Sequence, residues 1–157
     1  DDLLHTLETF DVTEETLRQY IEEFRLSLRE DNVVKHLTRA NQPDTIHGTP
    51  VQWEAWRERR FCISLENDDG TETLWNGVID RVNVATDSSG KYVGATLLDY
   101  KTDAVTVETL AGKAKTYQPQ LLTYRKVLNA ITEIDEREIE TGLLFLGSDM
   151  YIPVDSI

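Results

Sequence analysis

One cysteine, one methionine and four prolines occur in 157 residues, and no apolar run approaches the roughly 20 residues needed to span a bilayer. Each scarcity excludes something. Cys62 alone cannot build an internal disulfide, a four-cysteine zinc site or an iron–sulfur cluster. A chain without disulfides fits a reducing compartment, so a cytoplasmic protein is expected, with no signal peptide and no membrane partner. The lone methionine is Met150 and the sequence opens on Asp1, so a piece of a longer polypeptide is expected. Basic residues are scarce too: 16 against 29 acidic ones, a net charge of -13, which taken alone argues against nucleic acid. The deficit is uneven. Residues 1–31 hold ten acidic and three basic residues, whereas residues 109–132 hold four basic and no acidic ones. Local sign governs what approaches within a Debye length of about 8 Å.

What is present suits one domain with a real core: 39% hydrophobic and 29% charged residues. Residues 1–50 read as helical. Leu3, Leu7 and Phe10 are helically spaced, and Thr13 with Glu14 and Glu15 forms an N-terminal cap for Leu17, Tyr20, Ile21, Phe24 and Leu28, a helix ending near Asp31. A short helix covers Val33 to Arg39. From residue 51 onward the pattern is that of a sheet core. Phe61, Ile63 and Leu65 alternate with polar neighbours in a long strand, and Asn67-Asp-Asp-Gly70 is a turn. After Asp103 the pattern predicts a short helical piece over Val107–Ala111, broken at Gly112, then a helix from Thr116 to about Ile131 with Pro119 in its first turn. Gly142–Leu146 and Tyr151–Val154 read as a closing hairpin. The order is helices, a three-strand antiparallel meander, a helix and closing strands, an α/β architecture with a central mixed sheet.

The stretch from Gly77 to Asp103 organises the rest. Its two β-branched strands, joined at Asp87-Ser-Ser-Gly90, carry charge inside apolar rows. Asp80 is expected to share a face with Val78, Val82 and Val84, and Asp99 and Lys101 a face with Ala95 and Leu97. Antiparallel pairing brings two carboxylates and a lysine together, an arrangement costly to bury unless a divalent cation on oxygen ligands compensates it. Hydrolysis of a phosphodiester uses such a set: metal for the phosphate and water, a cation for the developing charge. A cross-strand salt bridge on a solvated face is the blander alternative, and the apolar neighbours Val78, Val82, Leu97 and Leu98 weigh against it.

Three segments in order, Gly77-Val-Ile-Asp80-Arg, Leu98-Asp99-Tyr-Lys101-Thr-Asp103 and Tyr117-Gln-Pro-Gln120-Leu-Leu-Thr-Tyr124, resemble the signatures of RecB-like nucleases in the PD-(D/E)XK superfamily. They look most like the C-terminal nuclease domain of AddA-type helicase/nuclease subunits. The resemblance implies a restriction-endonuclease-like core, with Asp80, Asp99 and the Tyr100 carbonyl holding Mg2+ or Mn2+ and Lys101 as base or electrostatic stabiliser. It also implies that Gln120 and Tyr124 position DNA or water. His5 is the matching helix-borne metal ligand, although Asp1-Asp2 stand where family members carry Gly-Thr. The implied function is metal-dependent DNA hydrolysis, as an exonuclease acting on single-stranded or unwound ends, with the helicase region of the parent chain and a second subunit as partners. An inactive nuclease fold used for DNA binding or assembly is the alternative, and a non-nucleic-acid interaction domain rests on charge alone. Lys113, Lys115, Arg125 and Lys126 are expected to face DNA, Arg57, Arg59 and Arg60 to offer a second phosphate contact, and His36 and His47 to lie on the surface.

Overall fold

A computed structural model describes residues 13–27, 31–38, 42–67 and 69–156. Helix α1 spans Glu14–Ser27 and α2 spans Asp31–Thr38. The capping signal works as expected: the Thr16 amide donates to Thr13 Oγ1 at 3.1 Å, and Glu14 and Glu15 lie in the first turn. α1 is described as far as Ser27 and α2 from Asp31; the expected end of the first helix near Asp31 involves residues outside the described ones. The α2 amide at Val33 donates to Asp149 Oδ1 at 2.9 Å, and its Leu37 carbonyl accepts from the buried Arg81 at 2.7 Å. Both ends of this eight-residue helix are therefore tied to distant chain, which a short helix needs because nucleation is costly.

A two-residue ladder of β1 (Thr45–Ile46) and β2 (Thr49–Pro50) precedes the main sheet. Five strands follow: β3 (Gln52–Glu66), β4 (Glu72–Thr86), β5 (Tyr92–Lys101), β6 (Ile139–Phe145) and β7 (Met150–Pro153). They lie side by side in chain order, antiparallel throughout except for the parallel β5/β6 pair. A parallel pair needs a crossover, and helix α3, Val107–Thr132, supplies it and packs on the sheet. The expected meander, helix and closing hairpin are all present. Gly70 and Gly90 take φ of 77° and 84°, the left-handed positions that the two turns demand. Among the described residues no helix is long and apolar enough to cross a membrane.

Two expectations need correction. The break at Gly112 is absent: α3 runs unbroken through Gly112 and Pro119. An interior proline costs about 3 kcal/mol and a glycine about 1. Leu121, Val127 and Leu128 are essentially fully buried, each contributing roughly 1.5–3 kcal/mol, so the packed face outweighs both. The start at Thr106 is secured by its amide donating to Thr109 Oγ1 at 2.9 Å. The second correction concerns alternation along β4. Val82 and Val84 lie in the core but Val78 is 39% exposed, while its neighbour Ile79 is buried. The phase changes where Glu58 of β3 takes a left-handed φ of 48°, opposite Asp80, at the one gap in a register that otherwise runs from Gln52↔Thr86 to Glu66↔Glu72. Beyond this point β3 and β4 continue as a two-stranded arm, because the β4/β5 ladder ends at Arg81↔Leu98.

Candidate active site

The end of that ladder makes the site. One pair further along, the Asp80 side chain takes over from the backbone: its Oδ2 accepts from the Tyr100 amide at 2.8 Å. Asp80 therefore sits in the fork where β4 leaves β5, half-buried. Asp99 is 3% exposed, and Lys101, the last residue of β5, places Nζ 2.5 Å from Asp99 Oδ2. At that distance the Lys101 ammonium is a charge-assisted donor to the Asp99 carboxylate. Burial pushes the Asp99 carboxyl above its usual range; Lys101 offsets part of this, and the Asp80 charge adds to it.

Helix α3 closes the site from one side. Residues 113, 117, 120 and 124 recur at i, i+4, i+7 and i+11, on one face. Gln120 Oε1 lies 3.5 Å from Lys101 Nζ, and Gln120 Nε2 donates to the Tyr124 hydroxyl at 2.8 Å. The Tyr124 ring meets Phe61 of the arm edge-on at 5.7 Å. Lys101 Nζ also stands 4.1 Å from the centroid of the Tyr117 ring.

A buried carboxylate, a second carboxylate close enough to raise its pKa and the backbone between them offer a hard, oxygen-only donor set. Such a set fits Mg2+ or Mn2+, and Mg2+ is often held by one or two carboxylates with the remaining positions left to water and substrate. Among the described residues no group of three His, Cys, Asp or Glu side chains converges, so two carboxylates are the side-chain contribution seen. His5 lies outside the described residues.

No protein-family model matches the chain, and a search of curated proteins returns no match. The functional weight therefore falls on the geometry. It brings Asp80, Asp99, Lys101, Gln120 and Tyr124 to one place, with Tyr100 between the two charged β5 residues. The proposed basic face divides differently. Lys113 pairs with Asp103 at 2.8 Å, and Arg125 donates to Thr141 at 2.8 Å and pairs with Asp155 at 3.0 Å with its side chain 13% exposed. Arg125 is thus a structural tie across α3 and the sheet, whereas Lys115 and Lys126 stay exposed. Arg57 and Arg60 are exposed on β3, and Arg59 lies over the Trp56 ring at 5.0 Å. His47 is exposed and pairs with Glu138 at 3.0 Å, and His36, half-buried, stacks on Tyr151 at 3.9 Å.

Sequence reasoning missed Asp103, whose Oδ2 accepts from the Tyr117 hydroxyl at 2.7 Å. The only signal for it is the 113/117/120 spacing on a helix facing the strand end. A concavity of about 590 Å³ between the arm and α3 is lined by Leu65, Trp75, Pro119, Leu122 and Lys126 among others, and by none of the five converging residues.

Proposed function

We propose that this chain is a metal-dependent deoxyribonuclease domain on a restriction-endonuclease-like core, belonging to a helicase/nuclease that processes DNA ends. The observation that carries the reading is the convergence of Asp80, buried Asp99, Lys101 and Gln120 at the open end of the β4/β5 ladder. Asp80, Asp99 and the Tyr100 carbonyl hold the cation, which when bound supplies Lewis acidity toward the phosphate and a more acidic water. The chain's own residues do the rest. Lys101 presents an ammonium where negative charge develops on the phosphoryl oxygens, at a site dry enough for that charge to count. Gln120 orients Lys101 through Oε1 and is itself held by Tyr124, whose ring is braced by Phe61. DNA approaches past the exposed Lys115 and Lys126 rather than the paired Lys113 and Arg125.

The test is cleavage of linear and circular single-stranded DNA with Mg2+ or Mn2+. An exonuclease degrades the linear form and spares the circle. Cleavage of neither form with either metal overturns the reading. DNA binding without cleavage favours a silent nuclease fold serving as a binding or assembly module, a reading that draws on there being only two converging carboxylates among the described residues.

A further inference from the structure

Lysine carries its charge on a flexible four-carbon stem, and Lys101 stands at the last position of β5, paired with Phe145 of β6 but beyond the end of the β4/β5 ladder. Something must hold its head. Asp99 Oδ2 touches it at 2.5 Å, but that oxygen is also an assigned cation ligand, and a carboxylate whose charge is shared pulls less on the ammonium. Gln120 Oε1 at 3.5 Å is at the outer limit of a hydrogen bond. The third neighbour has no competing duty. Nζ lies 4.1 Å from the centroid of Tyr117, within the range of a cation–π contact, and the Lys101 side chain is 15% exposed, so the contact is largely desolvated.

Tyr117 is itself fixed, by the segment that follows Lys101. Its hydroxyl donates to Asp103 Oδ2 at 2.7 Å, while Asp103 Oδ1 takes the Lys113 ammonium at 2.8 Å. Asp103 thus bridges two successive turns of α3 to the chain two residues beyond Lys101, and this bridge sets the ring over the Lys101 head.

We infer that Tyr117, anchored by Asp103, is a positioning residue that holds the Lys101 ammonium for the reaction. This rests on the nuclease reading of the site. A tyrosine that merely packs α3 on the sheet would affect stability and leave Lys101 where it is.

Lysine labelled with 13C at the ε carbon reads the contact directly in the full chain, with Lys101→Arg giving the assignment. A nucleus over an aromatic face is shifted upfield, so the Lys101 ε-methylene signal is expected upfield of the other lysines. It returns to their range in Tyr117→Leu and is only partly shifted in Tyr117→Phe, which keeps the ring and loses the anchor. In single-turnover and steady-state cleavage, Tyr117→Leu lowers kcat by roughly tenfold to a hundredfold with KM nearly unchanged, and Tyr117→Phe restores most of the loss. An ordinary Lys101 signal in the wild type, a signal unmoved in Tyr117→Leu, or a wild-type kcat in that variant overturns the inference. An upfield signal lost in Tyr117→Leu together with no DNA cleavage by the wild type supports the positioning contact and overturns the nuclease reading instead.

Discussion

Burial raises the Asp99 carboxyl, and the Lys101 ammonium is the main group that opposes the rise. Lys101 touches the acid without being a ligand itself, so its loss separates binding from chemistry. Lys101→Ala is expected to lower DNA cleavage by about 10² or more while calorimetry still detects Mn2+ binding. Cleavage at the wild-type rate would remove Lys101 from the reaction. Asp103 behaves in the opposite sense. The hydrogen bonds from Lys113 and then Tyr117 hold its carboxyl below the usual range. A depressed folded-state pKa contributes stability above the unfolded value, near 3.9, and loses it as pH falls through the lower folded value. Asp103→Asn should therefore melt below wild type at pH 7, with the gap closing as pH drops below about 4. The effect is small because Asp103 is solvent-accessible, and a gap that stays constant down to pH 2 would show that charge plays no part in it.

Two glycines show how elements depend on their surroundings. Gly112 lies inside α3 with nothing within 4 Å of where a Cβ would stand, so its cost is conformational alone. Gly112→Ala should raise stability by up to about 1 kcal/mol in denaturant unfolding. Gly142 of β6 faces the Tyr151 ring of β7 so closely that a methyl group would overlap it. That ring cannot swing aside freely, because His36 of α2 is stacked on it. Gly142→Ala should destabilise by roughly 1–3 kcal/mol, through overpacking. Effects of the same sign in both variants would mean that this account of the β6, β7 and α2 contact is wrong. The sequence pattern identified Gly112 as a break and Gly142 as the start of a closing strand. The strand is there, but neither the continuity of α3 nor the packing of Gly142 on Tyr151 could be read locally, because a glycine's meaning lies in what is opposite it.

For the whole molecule, cation binding and folding are linked, since the carboxylates of β4 and β5 are brought together only by the folded sheet. A ligand that binds the native state alone stabilises it by mass action, about 2.7 kcal/mol at a hundredfold excess over the dissociation constant. Mg2+ or Mn2+ should raise the melting temperature of the wild type and much less that of Asp99→Asn, whose amide is a weaker ligand and carries no charge. Equal increments would show that Asp99 does not hold the cation. Much of this site was legible in the sequence. Strand alternation, the glycine turns and the i, i+4 pair Gln120 and Tyr124 are properties of neighbouring residues, and they placed Asp80, Asp99 and Lys101 on paired strands before any contact was known. Tertiary structure alone decided which cations remain exposed and which are paired: Lys113 goes to Asp103 and Arg125 to Asp155. It also decided that α3 runs through Pro119, that β4 changes phase opposite Glu58, and that the Tyr117 ring lies over Lys101. These outcomes depend on partners far apart in the chain and on packing energies summed over a whole face, and no local window of sequence contains either.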